Sequence, residues 1–281
     1  MFQINWKLKA LLYKVFGIFN LKRSFYFIQK NITKRSKINF QSLSPHWIRH
    51  AEAIKNYNCT DVLEIGAGKS LEQNIYISYN FENSIKQTAI DINPMIDFQL
   101  FNQASLKISN LMNKNFKGSV KNYNDLLKLY NIKYYSPSDL NKLIDENHKF
   151  DICISTTTLE HFSLQDLNDF LKKINFVLIK KKLISSIIDY SDHYAHTDNK
   201  ITYLNFLKFN KEDWEKYNNK YLFQNRMRHQ DYRSLFKKNN FKVLQEFKGP
   251  MHEKIQGISS DFDQKNDETF LSWGYYLIST I

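Results

Sequence analysis

The chain has 281 residues, 42% of them apolar and 15% aromatic, which is enough to bury a sizeable core and argues against wholesale disorder. Lys and Arg (40) outnumber Asp and Glu (28) for a net charge of +12, and only 7 residues are glycine, well under the roughly 7% of an average globular chain. No uncharged apolar run reaches the ~20 residues of a membrane-spanning helix, lysines at 7, 9 and 14 interrupt any signal-peptide pattern, and Cys59 and Cys153 make neither a disulfide framework nor a zinc cluster.

A cytoplasmic protein is the expectation. The charge is uneven: residues 1–60 carry 11 Lys/Arg and a single acid, Glu52, for +10. Lysine (34) and asparagine (30) are both abundant, a bias that an AT-rich genome produces by itself, so lysine number says little about partners. Three of the six arginines, Arg226, Arg228 and Arg233, fall within eight residues, and that clustering is more informative.

In chain order, residues 4–32 repeat apolar positions at helical spacing among lysines, which predicts one or two amphipathic helices. Residues 33–45 are polar and basic and suit a linker, closing an N-terminal segment over 1–45. A helix from Pro45 places Trp47, Ile48, Ala51 and Ile54 on one face. From there to the C-terminus the pattern alternates strand and helix. Strands are predicted at 60–65, 87–92 (stopped by Asn93-Pro94), 132–135 (stopped by Ser136-Pro137), 150–155 and 182–189. Helices are predicted at about 70–79, 97–113, 121–130, 138–147 and 164–178. An aromatic, polar stretch over 190–228 interrupts the alternation, and a helix near 229–239 with strands at 241–247 and 270–280 completes it. The fold class is therefore α/β: a doubly wound, mostly parallel, seven-stranded sheet over 46–281, with ligands expected at the carboxyl ends of the strands.

Two of the seven glycines stand between the first strand and its helix, in Glu64-Ile65-Gly66-Ala67-Gly68-Lys69-Ser70. A Walker A loop needs a glycine at position 63, where Leu63 stands, and the dinucleotide fingerprint needs one at 71, where Leu71 stands. The segment instead resembles the Glu/Asp-x-Gly-x-Gly strand end of class I S-adenosylmethionine-dependent methyltransferases, with Ser70 in place of a frequent third glycine. Asp91 at the end of the second strand, Ser138-Asp139 after the third, the FDICIS strand at 150–155 and Leu159-Glu160-His161 follow in the order of that family.

The resemblance implies a Rossmann-like methyltransferase fold and S-adenosyl-L-methionine as cofactor, held by Glu64, Gly66, Ala67, Gly68, Asp91, Ile92, Ser138, Asp139 and Ser155. Asp91 would accept the ribose hydroxyls, and backbone N–H groups at the helix start would meet the carboxylate of the amino-acid portion. Candidate catalytic residues are His161 and, in the titratable run after the fifth strand, Asp189, His193 and His196. No zincin or EF-hand spacing is present, so no metal is assigned. The insertion over 190–228 would build the acceptor pocket, with Tyr194, Arg226 and Arg228 as substrate contacts, since arginine forks suit phosphate or carboxylate. The expected reaction is O-methylation of an anionic or sugar-linked small molecule, with phosphorylated or nucleotide-activated acceptors among the candidates. The DHYAH and NRMR segments resemble methyltransferases of surface-polysaccharide (capsule) pathways. The alternatives are an RNA methyltransferase that uses the basic N-terminus, although nucleic-acid binding ranks last for lack of an RNA-binding module, and a non-catalytic methyltransferase-like interaction protein. For residues 1–40 two readings stay open beside it: a lid over the site, or peripheral contact with an anionic membrane.

Overall fold

The computed structural model describes residues 3–19, 21 and 38–280. Strands β1 (Asp61–Ile65), β2 (Lys86–Ile90), β3 (Ile132–Tyr135), β4 (Phe150–Thr156), β5 (Leu178–Asp189), β6 (Phe241–Lys248) and β7 (Trp273–Thr280) form one sheet in the order β3-β2-β1-β4-β5-β7-β6. The first five pair in parallel, and β7 lies antiparallel to both of its neighbours. The order reverses between β1 and β4, which opens a crevice at their carboxyl ends.

Apolar runs make the central strands, because helices cover both faces of the sheet and leave no solvent side for alternation. Val62, Leu63, Ile152, Cys153 and Ile154 are all buried. On one face pack α2 (Pro45–Asn56), α3 (Glu72–Asn80), α4 (Phe98–Leu111) and α5 (Tyr123–Tyr130), with Ile54, Ile75, Phe101 and Leu126 in the cores there. On the other, α6 (Leu140–Asp145), α7 (Leu164–Val177) and α9 (His229–Lys238) bury Leu143, Phe170, Ile174 and Phe236. Local chemistry sets the helix starts. Ser44 caps α2 ahead of Pro45, and Ser163 and Asp166 form a capping box for α7.

Two boundaries depart from the sequence reading. The first loop is longer than expected, since Leu71 adopts φ 47° and α3 begins only at Glu72. Strand β5 starts at Leu178, directly where α7 ends, and the β4–β5 register shifts near its start. No turn residue marks that junction.

The first helix packs against the rest of the chain. Helix α1 (Trp6–Ile18) turns Trp6, Ala10 and Tyr13 into a third core built with the insertion, which contains the short α8 (Lys211–Glu215). The Trp6 ring lies 4.5 Å from that of Tyr217 and 5.5 Å from that of Phe209. Asp198 Oδ2 accepts from the Trp6 backbone N–H at 2.9 Å, and Lys9 is buried with its Nζ donating to Thr197 at 2.8 Å. The outer face of α1 exposes Leu11, Ile18 and Phe19. The second predicted amphipathic helix and the first residues of the predicted linker fall within 20–37, outside the described residues apart from Leu21. Among the described residues no helix is long and apolar enough to cross a membrane.

Candidate active site

The loop after β1 is shaped by its glycines. Gly66 and Gly68 sit at φ +73° and +74°, a region that L side chains avoid. Their surroundings differ. A Cβ on Gly66 would run into Thr158, whose Cγ2 would lie 2.6 Å away, whereas a Cβ on Gly68 would meet nothing within 4 Å. Gly66 is therefore needed by the protein's own packing, and Gly68 has open space beside it, with its N–H toward Asp91. Ala67 packs against the α2–α5 core.

A cavity of about 590 Å³ opens over this loop. Gly66, Asp91, Ile92, Ser138, Asp139, Thr158, His161, Phe162 and Phe170 line it. Asp91 stands one residue past β2 and is largely buried. Burial pushes its carboxyl up to about 6, although the Tyr134 hydroxyl and the Gly68 N–H pull the other way. Tyr134 donates to Asp91 Oδ2 at 2.8 Å and so fixes the carboxylate's direction. Ser138 presents a buried hydroxyl that has no partner among the described residues, and Asp139 accepts from the Lys142 N–H at 3.2 Å, capping α6. Glu64 works from behind the loop. Gln73 Nε2 donates to its Oε1 at 2.9 Å, and burial, then the Asp91 charge, pushes its carboxyl up to about 8.

The chain after β4 reaches the same cavity. Leu159–His161 forms one turn of 3₁₀ helix, and His161 lines the cavity. Its Nδ1 lies 2.7 Å from the Phe223 carbonyl, which can only accept, so Nδ1 carries the proton and Nε2 keeps a lone pair. Burial, then the neighbouring His193, lowers its pKa to about 4. The His161 and His193 rings are 4.9 Å apart, and His193 Nε2 lies 3.3 Å from Asp189 Oδ2. Burial would raise the Asp189 carboxyl, but His193 and the Ser191 N–H outweigh it and hold it below the usual range. His196 extends the cluster outward, exposed, its ring 5.7 Å from His193 and 5.5 Å from Tyr203.

Four sequence expectations are corrected here. Arg228 is 1% exposed, and its Nε, Nη1 and Nη2 donate to the carbonyls of Thr269, Tyr190 and Leu271. It ties the chain at Tyr190 to the 269–271 segment and offers no surface to an anion. Arg226 donates through Nη1 to the carbonyls of Phe206 and Phe209 at 3.0 and 2.6 Å, with its guanidinium over Trp214 and Phe262. Tyr194 is fully buried in the third core, donating to the Tyr217 carbonyl at 2.9 Å. Ser155 is an interior sheet residue whose hydroxyl donates to Ser186 at 3.0 Å, away from the cavity lining.

Sequence reasoning missed Tyr134, Gln73, Thr158 and His50. The last is wholly buried, with Nδ1 2.7 Å from Ser185 Oγ and Nε2 3.1 Å from Thr156 Oγ1. Burial first, then His46, lowers its pKa to about 3, so this histidine is a neutral strut under the site.

No family model and no curated protein matches the sequence. Among solved structures, the chain is similar to Burkholderia thailandensis 1,6-didemethyltoxoflavin-N1-methyltransferase, solved with 1,6-didemethyltoxoflavin and S-adenosylhomocysteine bound, at 12% identity over 93% of this chain and 86% of that one, TM-score 0.50. It is also similar to TehB from Haemophilus influenzae (12% identity, 91% of this chain, TM-score 0.47), of whose length it spans 66%. A third is an S-adenosylmethionine-dependent methyltransferase from Clostridium acetobutylicum (11% identity, 92% of this chain, 98% of that one, TM-score 0.46). The first likeness shows the fold, that of the Rossmann-like methyltransferases.

Proposed function

We propose that the chain is an S-adenosylmethionine-dependent methyltransferase acting on an oxygen of a small molecule. One observation carries this reading: Gly66, at positive φ in the loop after β1, and the buried Asp91 past β2 line one cavity at the point where the strand order reverses. The pocket fits the cofactor. Gly68 has open space beside it for the amino-acid portion, Asp91 is aimed by Tyr134 to accept two ribose hydroxyls, and Ser138 holds a hydroxyl, unpartnered among the described residues, where the adenine edge would lie.

The bound cofactor supplies an electrophilic methyl group on a sulfonium. The chain's part is to orient the acceptor, exclude water and make its hydroxyl more acidic. Phe162 and Phe170 give the cavity an apolar wall. His161 gives it a polar side, and behind His161, at the ends of β4 and β5, stand His193 and Asp189, with His196 further out. Because Arg226 and Arg228 bond the protein's own carbonyls, they give no support to an anionic acceptor. A sugar-linked hydroxyl, as in surface-polysaccharide pathways, is the acceptor class we favour, on the resemblance carried by the DHYAH segment. Calorimetric titration of the intact protein with S-adenosylmethionine and S-adenosylhomocysteine tests the reading. Saturable binding that Asp91→Ala abolishes is expected, and heats indifferent to Asp91 refute it.

A further inference from the structure

Glu160 has no role in cofactor binding, yet it is among the most anomalous side chains of the molecule. It is 3% exposed, and among the described residues neither carboxyl oxygen has a hydrogen-bond partner. Only the backbone N–H groups of Glu160 itself and of Asp189 ease its charge, and burial together with the Asp189 carboxylate drives its pKa well above the ordinary range. A carboxyl buried in this way stays protonated unless a cation meets it.

Two imidazoles face Glu160, beside the Asp189 carboxylate. One donor atom each from Glu160, His161 and His193 lies within 4.8 Å of the others, and Asp189, His193 and His196 form a second such set that shares His193. His161 is held in the tautomer that leaves Nε2 bare by its Nδ1 bond to the Phe223 carbonyl, the outer bond that orients a metal-ligating imidazole. His193 Nε2 likewise has no directed hydrogen bond, and Asp189 Oδ2 stands 3.3 Å from it.

We propose that Glu160, His161 and His193 bind a divalent transition-metal cation at the acceptor side of the cavity, with Asp189 beside them as a further ligand. Two imidazoles with carboxylates suit Zn²⁺, Mn²⁺ or Fe²⁺, whereas Mg²⁺ and Ca²⁺ prefer all-oxygen sets. Ligands at about 2.0–2.2 Å from an ion in a tetrahedral shell stand about 3.3–3.6 Å apart, so these side chains would close around the cation as it binds. His161 belongs both to this cluster and to the cavity lining. A cation there would hold and acidify the acceptor hydroxyl. That role rests on the methyltransferase reading, while the existence of the site does not. The assignment also goes against the absence of metal-ligand spacing in the sequence, because the ligands come from two strand ends that only the fold brings together.

The test uses the full-length protein, stripped with chelator and without cofactor, titrated with Zn²⁺ alone and Mn²⁺ alone by calorimetry, with bound metal counted by elemental analysis. About one equivalent is expected, with affinity falling by at least the roughly 100-fold of a disrupted metal shell in Glu160→Gln. His193→Ala is expected to fall likewise, which covers the case in which the first variant does not fold. S-adenosylhomocysteine affinity, measured in parallel, should be unchanged in both. A protein that binds S-adenosylhomocysteine but takes up neither cation overturns the metal site and leaves the transferase standing. Cation uptake lost in both variants, in a protein that ignores the cofactor, upholds the site and refutes the transferase. Uptake that neither variant weakens places the cation elsewhere and overturns the assignment.

Discussion

Alanine at Gly66 and alanine at Gly68 should fail in different ways. Both positions have φ near +74°, and an L residue there costs about 1–2 kcal/mol. At Gly68 that is the whole expense, since the new methyl meets nothing within 4 Å. At Gly66 the methyl collides with Thr158 Oγ1 and Cγ2, and Thr158 cannot swing away freely because its hydroxyl donates to the Thr156 carbonyl at 3.1 Å. Overpacking of this kind adds about 1–3 kcal/mol, for a total of about 2–5 kcal/mol. That is a large part of the ~5–15 kcal/mol that holds a typical domain together. Urea denaturation of the two variants reads the difference as a fall in midpoint at constant slope. Gly66→Ala should lose midpoint strongly. Gly68→Ala should keep most of it and lose S-adenosylhomocysteine affinity, because its methyl stands where the ligand's backbone contact belongs. Equal stability of the two variants would refute the packing argument. Undiminished affinity in Gly68→Ala would refute the placement of the cofactor.

Four further outcomes follow from the same geometry. Asp91 titrates at about 6 in the folded protein against 3.8 unfolded, so ionising it works against folding, and stability falls as pH rises through that window; Asp91→Asn should melt above the parent at pH 7 and level with it near pH 4. The ribose needs the ionised carboxylate, so S-adenosylhomocysteine affinity should drop roughly tenfold per unit below pH 6, and a pH-independent affinity would contradict this. Arg228→Met leaves three buried carbonyls without donors, at about 1–3 kcal/mol each, and a thermal midpoint unchanged from the parent would show that the guanidinium is not the brace described. Trp6→Ala should cost about 3–5 kcal/mol and raise hydrogen exchange across 190–228, whereas unchanged protection there would mean that α1 and the insertion do not share a core.

The sheet was legible because buried parallel strands are continuous apolar runs and their ends carry turn residues, as at Asn93-Pro94 and Ser136-Pro137. The cofactor loop was legible for the same local reason, since a glycine-poor chain places two of its glycines within three residues. What the sequence hid was every fact that depends on a distant neighbour. Thr158 is adjacent to Gly66 only because β4 pairs with β1. Arg228, Arg226 and Tyr194 look like surface polar residues, and nothing local says that their donors will be satisfied by carbonyls up to 43 residues away. The charge of the first 60 residues suggested an appendage, yet Trp6 and Lys9 are buried against the insertion. Glu160 and His193 lie 33 positions apart, so the spacing of a metal motif could not reveal their meeting.

The central claim is that the cavity over Gly66 and Gly68 holds S-adenosylmethionine, and a crystal structure of the complex with S-adenosylhomocysteine tests it most directly. The account predicts ligand density in that cavity, with both ribose hydroxyls on the Asp91 carboxylate, the adenine beside Ser138 and the sulfur facing His161. Density instead in a cavity lined by Asn168, Trp214, Arg226 and Ser234, or ribose oriented away from Asp91, would contradict it.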